Sequence, residues 1–445
     1  MNLSKSKFCA GLQCPKILWM DNHMPDRFDS SVVNNSLTED GNAVGDLAKG
    51  YFRADVIAGA SFAWDGNFCS VDLLRRVSGG YELVDVKAYA VSEGSQTKNV
   101  KPLYIQDMAY QVYVLNKCGI NIKKVSILQL NRNYIRQGEL DIHRLFVMID
   151  CTDLVFRRQK NIEKRVGKIR AIATGESEPI FQTGSRCNNP NECGYKNWCF
   201  RHLPHGSGKQ QQQASAIAEN LKPHINKKAI RDFLSTVRYP LYYLDFETFR
   251  QPVPLWDNLS PYTQIPFQYS VHIQQEPCGE AMHKEFLGKE CVDPRRNLAE
   301  RLCKDIPMDV CVLAYNMSFE KGRLKYLARI FPDLAPHLMN IHDNMADLAF
   351  PFQSGAYYCP QMGCSYSIKV VLPALFPDSP ELNYSSLSLI KNGGDAMAAY
   401  ATLHKQPQEE VPKIREALLA YCKLDTLAMV KILEKLYDMA KLTPS

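Results

Sequence analysis

The chain has 445 residues, too many for one hydrophobic core and suited to two or three domains. Hydrophobic residues make up 45% of the chain and charged residues 22%, which excludes a disordered or collagen-like protein. The whole net charge of +6 lies before Gly206, because 27 basic and 21 acidic residues precede it and 26 of each follow. This imbalance is compatible with a polyanionic partner for the first half. No apolar run approaches the roughly 18 residues needed to cross a bilayer, and MNLSKSKF is too polar for a signal peptide, so we expect a cytoplasmic protein without a membrane partner.

Strand-like and helical segments follow one another in the first half and predict an α/β or α+β fold. Residues 54–64, 67–77 and 81–89 are strand-like, and Ser78-Gly79-Gly80 is typical of a hairpin turn between the last two. Residues 104–119 have apolar positions at helical spacing and a glycine stop at Gly119. Residues 123–131 and 142–150 are two further strands. We expect these strands to form a sheet with helices packed against it.

A basic segment and a polar segment end the first half. Residues 156–170, FRRQKNIEKRVGKIR, contain seven basic residues and one acidic residue. They are either a solvated helix surface or a helix whose Lys and Arg side chains contact phosphates in a salt-dependent way. The segment GSGKQQQQASA, beginning at Gly206, has the composition of a flexible domain boundary, and a helical segment connects it to the second half.

Three of the fifteen cysteines stand out by their surroundings. Free cysteines in a reducing compartment do not form a disulfide framework, and most are small core residues. Cys187, Cys193 and Cys199, however, lie among Asn, Pro, Gly and Lys, which make a poor core element. Three thiols in a turn-rich segment predict a metal clamp with a fourth ligand from elsewhere. Zinc knuckles usually have about two to four intervening residues, which this spacing lacks, so an iron–sulfur cluster is favoured over zinc.

Asp72, Asp85 and Lys87 are the candidate catalytic residues of the first half. Asp85 and Lys87 are two apart on a strand, so they share a face, and Asp72 lies on the partner strand of the hairpin. Two carboxylates can hold a divalent ion, and a neighbouring ammonium can orient water. This set suits phosphodiester hydrolysis, whereas the plain structural alternative is a surface hairpin with salt bridges.

The series SVD, turn, ELVDVK and a helix carrying DMAYQVYVL resembles the active site of RecB-type nucleases in the PD-(D/E)xK superfamily. The resemblance covers roughly residues 1–203. It implies that Gln111 on the helix supports the site, that Asp72 and Asp85 bind Mg²⁺ or Mn²⁺, and that Lys87 positions the attacking water. Asp46 in TEDGNAVGDLAKG is the candidate for an early acidic ligand.

Some nucleases of this group hold a four-iron four-sulfur cluster with one cysteine before the nuclease core and three after it. Cys14 in CPKILW, followed by Cys187, Cys193 and Cys199, looks like that arrangement. The resemblance therefore implies that these four cysteines bind a four-iron four-sulfur cluster.

Three acidic motifs follow in the second half. PLYYLDFETF places Asp245 and Glu247 on one side of a strand, and a later buried strand is followed by Asn316 and Glu320 at the start of a helix. In the last long helix, Tyr421 and Asp425 are four apart and share a face. A carboxylate in the apolar stripe of a helix is costly unless it is paired, which favours a functional role.

In this order, the three motifs resemble the DEDD exonucleases of the ribonuclease H-like fold. The resemblance implies that Asp245, Glu247 and Asp425, with Glu320, hold two metal ions, and that Tyr421 orients water. Glu320 replaces the usual aspartate of the second motif, and Asp343 and Asp347 are alternative acids. Gln268 and Lys369 are candidate nucleic-acid contacts, with core or turn roles as alternatives.

The whole chain is similar to an uncharacterised bacterial family that joins a RecB-like iron–sulfur module to an exonuclease-like domain with the YLDFET motif. We expect a RecB-like restriction-endonuclease-type α/β domain at 1–205, a linker with connecting helices at 206–236, and a ribonuclease H-like mixed-sheet α/β domain at 237–445. The expected activity is metal-dependent (exo)nuclease cleavage of DNA single strands or ends, 3′ to 5′ in the second domain. A nucleic-acid-binding or regulatory protein with inactive sites, and an RNA-trimming exonuclease, are the alternatives.

Overall fold

The computed structural model describes residues 2–30, 36–52, 55–202, 223–363 and 365–440. The chain has a mixed α/β fold and divides into two compact units. The first unit comprises Met1–Lys209 and Gln251–Thr263, and the second comprises Gln210–Arg250 and Gln264–Ser445. The part of the expected linker up to residue 222 lies outside the described residues.

The first unit has two sheets with helices around them. Its strands are β1 (Leu3–Ser4), β2 (Val56–Ala58), β3 (Ser61–Trp64), β4 (Asn67–Ser70), β5 (Leu73–Val77), β6 (Gly80–Val91), β7 (Ile122–Asn131) and β8 (Phe146–Asp150). Its helices are α1 (Lys5–Gln13), α2 (Pro15–His23), α3 (Ser36–Ala48), α4 (Pro102–Lys117), α5 (Ile142–Leu145), α6 (Thr152–Thr174) and α7 (Lys196–His202).

The larger sheet of the first unit is mixed and covered on both faces. Its strand order is β2-β5-β6-β7-β8, in which β6 and β7 are parallel and the other neighbours are antiparallel. Val114 of α4 and Ile162 of α6 belong to the same core cluster as Ile127 of β7. Val44 of α3 packs with Leu128 on the opposite face. The smaller sheet has the order β1-β4-β3.

The structure divides two segments that the sequence predicted as single strands. Residues 54–64 contain β2 and β3, separated at Gly59, whose φ of +67° is the left-handed conformation that glycine adopts readily. Residues 67–77 contain β4 and β5, which belong to different sheets. Asp72 lies at this break and accepts a hydrogen bond from the backbone N–H of Val86 (2.7 Å). The first part of the strand expected at 142–150 is the short helix α5.

The second unit is built around one mixed sheet. Its strands are β9 (His224–Ile225), β10 (Leu241–Phe249), β11 (Ile265–Gln274), β12 (Ala281–Leu287), β13 (Cys311–Ala314), β14 (Met345–Asp347) and β15 (Tyr357–Tyr358). Its helices are α8 (Lys227–Leu234), α9 (Arg295–Asp305), α10 (Ser318–Ile330), α11 (Ala335–Asp343), α12 (Phe350–Gln353), α13 (Ile368–Leu375), α14 (Gly393–Thr402) and α15 (Val411–Ala440).

The sheet of the second unit has the order β12-β11-β10-β13-β14, with β9 and β15 forming a separate pair. β10 is antiparallel to β11 and parallel to β13, so it is the central strand. β10 and β11 are buried along nearly their whole length because helices cover the sheet, and both strands include buried polar side chains. The long helix α15 packs across β10 and β11, and it buries a continuous stripe that includes Leu418, Met429 and Leu436. None of the helices that the structure describes is long and apolar enough to cross a membrane.

Candidate metal and catalytic sites

Three carboxylates converge where β10 meets α15. Asp245 and Glu247 are two residues apart on β10, so their side chains leave the same face of the strand, and Asp425 lies on α15. One ligand oxygen of each residue lies within 4.8 Å of the other two. Among the described residues, this is the only such group of three His, Cys, Asp or Glu side chains. Carboxylate oxygens are the ligands that Mg²⁺ and Mn²⁺ prefer, so this acidic triad can hold a divalent ion.

Glu320 contributes a fourth acidic group to the same region. It lies in the first turn of α10 with 3% of its surface exposed, and its Oε2 atom has no hydrogen-bond partner within the described chain. Burial raises the pKa of Glu320 to about 8, and the charges of Asp347 and Asp425 add to this effect. A buried carboxylate oxygen without a partner is unfavourable unless a proton or a cation satisfies it. Glu320 therefore fits a site that is completed by a cation.

The clustered carboxylates disfavour one another's ionised forms. Burial, followed by the charges of Asp425 and Glu247, holds the pKa of Asp245 well above its ordinary value. Burial and Asp425 raise the pKa of Glu247 to about 8, although the Lys369 ammonium acts in the opposite direction. The metal-free centre therefore retains protons near neutral pH that a bound cation would displace.

This arrangement predicts that the metal-free protein loses stability as the pH rises. The folded pKa of Glu247 and of Glu320 is about 8, against 4.5 for an ordinary glutamate, so the folded chain binds more protons than the unfolded chain in this interval. The stabilisation from these protons is complete below pH 4.5 and is lost as the pH rises through about 8. We expect the melting temperature in EDTA to fall over that range.

The matched comparison is between two Glu→Gln variants on the second unit. Glu247→Gln should flatten the pH dependence of the melting temperature in EDTA, whereas Glu416→Gln, at an exposed position of α15, should leave it unchanged. Saturating Mn²⁺ should flatten the dependence in the unmodified chain. Equal slopes for the two variants would show that the triad does not carry the effect.

Two tyrosines and a lysine surround Asp425. The Lys369 ammonium donates a hydrogen bond to the Tyr421 hydroxyl (2.8 Å), and the Tyr384 hydroxyl donates one to Asp425 Oδ1 (2.5 Å). Tyr384 was not predicted, because it lies in a single irregular turn with no distinctive spacing to the other motifs. Of the two predicted nucleic-acid contacts, Lys369 lies beside the acidic triad. Gln268 is fully buried and donates to the carbonyl of Leu418 (2.8 Å), so it has a structural role in the core.

The two alternative acids have different surroundings. Asp347 accepts hydrogen bonds from the backbone N–H groups of Asn316 (2.8 Å), Met317 (3.2 Å) and Ala349 (2.9 Å), so it fixes the turn before α10. The left-handed φ of +64° at Asn316 belongs to that turn. The side chain of Asp343 is 69% exposed and contacts His342. Neither residue belongs to the acidic triad.

The structure also brings the predicted site residues of the first unit close together. Asp85 and Lys87 share a face of β6, and Lys87 Nζ lies 2.8 Å from Asp85 Oδ2 and 2.8 Å from Asp107 Oδ2. The Gln111 amide donates to Asp85 Oδ1 (2.9 Å) and to Asp107 Oδ1 (3.1 Å). Burial lowers the pKa of Lys87, but Asp85, Asp107 and Asp72 outweigh it and hold this pKa well above its ordinary value. The sequence interpretation missed Asp107, although its spacing of four from Gln111 on α4 was an available signal.

A second lysine, Lys5, lies in this site, whereas Asp46, the expected early acidic ligand, lies outside it. Lys5 Nζ lies 3.8 Å from Asp72 Oδ1 and 3.9 Å from Asp85 Oδ1. Burial lowers the pKa of Lys5, but the carboxylates of Asp85 and Asp72 give a net rise. Asp46 has a 74% exposed side chain that pairs with Lys49 (2.6 Å). The core side of α3 is formed by Val44 and its helical neighbours, so Asp46 points away from the sheet.

The four predicted cysteines line one small pocket of the first unit. Cys14, between α1 and α2, lines it together with Cys187, Cys193 and Cys199. The Gln13 amide donates to the carbonyls of Arg186 and Asn191 (both 2.7 Å), which ties the early segment to the late one.

Burial raises the pKa of the Cys14, Cys193 and Cys199 thiols and so disfavours their free thiolates. Burial raises the pKa of Cys193 to about 11, and the other three thiols add to the shift. A single tetrahedral Zn²⁺ would bring the sulfurs to about 3.8 Å from one another. In the described chain no three of these sulfurs lie within 4.8 Å of each other. As placed, the four sulfurs are therefore spaced more widely than the ligands of a single zinc ion.

A family model described as a domain of unknown function (DUF2779) matches residues 242–367 of this chain. That range contains Asp245, Glu247 and Glu320 but ends before Tyr421 and Asp425. Uncharacterized protein UU173 of Ureaplasma parvum is 28% identical over 244 residues, covering 48% of this chain and 34% of its own length. Uncharacterized protein MG366 of Mycoplasma genitalium is 25% identical over 217 residues, covering 45% of this chain and 32% of its own length.

The chain thus spans about a third of the length of the curated relatives it matches. No solved structure matches it.

Proposed function

We propose that this protein is a metal-dependent nuclease that hydrolyses phosphodiester bonds of DNA, acting on single strands or ends. The observation that carries the proposal is the convergence of Asp245, Glu247 and Asp425, with ligand oxygens within 4.8 Å of one another, next to the buried and unpartnered Oε2 of Glu320. A buried acidic group of this kind opposes folding in the absence of cations, which is expected of a site arranged for function.

The strand order supports a ribonuclease H-like second domain. The sheet β12-β11-β10-β13-β14 has an antiparallel meander on one side of the central strand β10 and two parallel strands on the other. The triad lies on β10 and on the last helix, as the resemblance of the motifs implies. In the first unit, the otherwise antiparallel sheet contains one parallel pair, β6 and β7, and the connection between these strands includes α4 with Gln111, which supports a RecB-like domain.

In the second unit, Asp245, Glu247 and Asp425 would hold the metal, with Glu320 beside them. Divalent ions would supply an activated water and neutralise charge on the phosphate. Tyr421 accepts a hydrogen bond from Lys369 (2.8 Å) and also hydrogen-bonds Asp425, so its hydroxyl is fixed beside a metal ligand, where it would be suited to orient the attacking water. Tyr384 fixes Asp425 through its hydrogen bond.

In the first unit, Asp72 and Asp85 would hold a divalent ion, and Lys87 would position water. Asp107 and Gln111 fix the orientation of Lys87 and Asp85. The four-cysteine pocket fits an iron–sulfur cluster because thiolates are the ligands such clusters use. The cluster would join α2 to the segment 187–199 and stabilise this unit.

One observation favours a second candidate function for the first unit, that of a nucleic-acid-binding module without cleavage activity. Lys5 and Lys87 both contact Asp85, so positive charge already surrounds the carboxylates. Among the residues that the structure describes, no third His, Cys, Asp or Glu side chain places a ligand atom within 4.8 Å of those of both Asp72 and Asp85.

The proposed function is tested with purified protein and end-labelled single- and double-stranded DNA and RNA, in the presence of Mg²⁺, Mn²⁺ or EDTA. We expect cleavage of DNA that requires metal and starts at ends. Preferential trimming of RNA would change the substrate class, since the carboxylates act on phosphates that both polymers have. No cleavage of any substrate would favour the binding-protein alternative.

The basic segment forms an exposed surface on α6. Lys160, Lys164 and Lys168 are four residues apart and exposed, so they follow one side of the helix. Arg165 instead donates to the Gln106 side chain (2.8 Å), and Arg170 donates to the carbonyl of Asp65 (3.0 Å). Only part of the basic charge can therefore contact a phosphate backbone.

Neutralising Lys160, Lys164 and Lys168 to Gln should weaken nucleic-acid binding for every sequence. The slope of log K against log salt should fall by about one for each lost phosphate contact. Lys227→Gln, Lys228→Gln and Lys304→Gln remove the same charge from exposed positions of the second unit and provide the matched control. Equal slopes for the two triple variants would identify the α6 surface as merely solvated.

A further inference from the structure

Lys5 is held in place by the fold on both sides of its position in the chain. It is the first residue of α1, directly after β1, which pairs with β4. Leu3 and Phe8 are fully buried on either side of it. The Ser4 hydroxyl accepts a hydrogen bond from the N–H of Lys7 (3.2 Å) and caps the helix. Lys5 therefore differs from an ordinary surface lysine, because the backbone that carries it is fixed.

The side chain of Lys5 reaches the two carboxylates expected to bind metal in this unit. Its ammonium is nearly equidistant from Asp72 Oδ1 (3.8 Å) and Asp85 Oδ1 (3.9 Å), and only 23% of its side chain is exposed. Lys87 already lies 2.8 Å from the other oxygen of Asp85. The site thus contains three carboxylates, those of Asp72, Asp85 and Asp107, and two ammonium groups.

This balance of charges contrasts with that of the second unit. There, the Lys369 ammonium donates to the Tyr421 hydroxyl rather than lying between two carboxylates, and the nearby Glu320 has an oxygen without a hydrogen-bond partner in the described chain. In the first unit, an ammonium lies between Asp72 and Asp85, and a divalent ion bound by both carboxylates would be repelled by it at close range.

We propose that Lys5 is the resident cation of the first site, which holds Asp72 and Asp85 together in the metal-free protein and which a divalent ion must displace. Lys5 is then a positioning residue that sets the metal concentration at which this site fills. The inference rests on the proposed function, because it assumes that Asp72 and Asp85 bind metal. It explains how the first unit can be folded and neutralised without metal, whereas the second unit requires protons or cations.

The test measures Mn²⁺ binding rather than cleavage. Full-length protein carrying Asp245→Asn and Asp425→Asn, which removes the competing triad, is titrated with Mn²⁺, and free Mn²⁺ is followed by electron paramagnetic resonance. Lys5→Met should lower the Kd for Mn²⁺ roughly tenfold or more, because a like charge at about 4 Å is removed. Lys7→Met, an exposed lysine on the same helix, is the matched control and should leave Kd unchanged.

Melting temperatures provide the second readout. In EDTA, Lys5→Met should melt below Lys7→Met, since Asp72 and Asp85 lose their shared cation. Saturating Mn²⁺ should remove this difference, because the metal then takes the place of the lost ammonium. If Lys5→Met does not fold, Lys5→Gln, which keeps most of the side-chain length without the charge, takes its place. The same Kd in the Lys5 and Lys7 variants, or weaker binding when Lys5 is replaced, would overturn the inference.

The Mn²⁺-binding results and the cleavage results test the role of Lys5 and the nuclease proposal separately. Tighter Mn²⁺ binding by Lys5→Met supports the inference even if no nucleic acid is cleaved. Conversely, cleavage that depends on Asp85 together with an unchanged Kd in Lys5→Met would leave the nuclease proposal in place and refute the role of Lys5.

Discussion

Asp245→Asn is expected to lower the metal-dependent nuclease rate of the second unit about a thousandfold or more, which corresponds to roughly 4 kcal/mol of transition-state stabilisation. Asparagine keeps the shape of the side chain but cannot supply the charge that holds a divalent ion. In EDTA near neutral pH, the same substitution should raise the melting temperature, because it removes one of three carboxylates that repel one another. A loss of activity combined with a gain of metal-free stability is the signature of a functional site.

Asp343→Asn is the matched control for this prediction. It makes the same chemical change in the same unit, at an exposed side chain that contacts His342 rather than the triad. Activity and stability in this variant should both match the unmodified protein. If Asp343→Asn were as damaging as Asp245→Asn, the ligand assignment based on the triad would be wrong.

Replacing any one of Cys14, Cys187, Cys193 or Cys199 by serine is expected to remove an iron–sulfur cluster from the first unit. Anaerobically purified protein should be brown and absorb broadly near ~400 nm, and each of these variants should lose that colour. The first unit should also melt at a lower temperature, because the cluster joins two segments that are far apart in the sequence and that are otherwise tied by contacts such as those of Gln13.

Cys118→Ser serves as the control, since this partly exposed cysteine of the first unit lies outside the pocket of the four cysteines. It should retain both the colour and the iron content. Colourless protein with one zinc per chain would contradict the iron assignment while keeping the four cysteines as metal ligands.

The sequence could predict the parts of the site that depend on local spacing. Asp245 and Glu247 follow the alternation of a strand, and Tyr421 and Asp425 follow the repeat of a helix, so each pair could be assigned to one face without knowledge of the fold. The hairpin between β5 and β6 was likewise signalled by its glycines, of which Gly79 has a φ of +76°.

The remaining site residues could not be predicted because their roles depend on packing. Tyr384 reaches Asp425 from a separate irregular turn, and Lys5 reaches Asp85 through the placement of β1 beside β4. Asp347 looked equivalent to Glu320 in the sequence, but the turn before α10 uses its oxygens for backbone N–H groups. Asp46, by contrast, was predicted as a ligand but does not reach the site. Its helix buries Val44 and directs the aspartate to solvent.

The central claim, that both units are nuclease centres, is tested most directly by one set of four full-length proteins: unmodified, Asp245→Asn, Lys87→Ala and the double variant. Each is incubated with 5′-labelled single-stranded DNA and Mn²⁺, and the product ladder is followed over time. We predict that each single variant loses one component of the cleavage and keeps the other, and that the double variant loses both. If Lys87→Ala removes all cleavage while Asp245→Asn removes none, the acidic triad of the second unit is not catalytic and the account is contradicted.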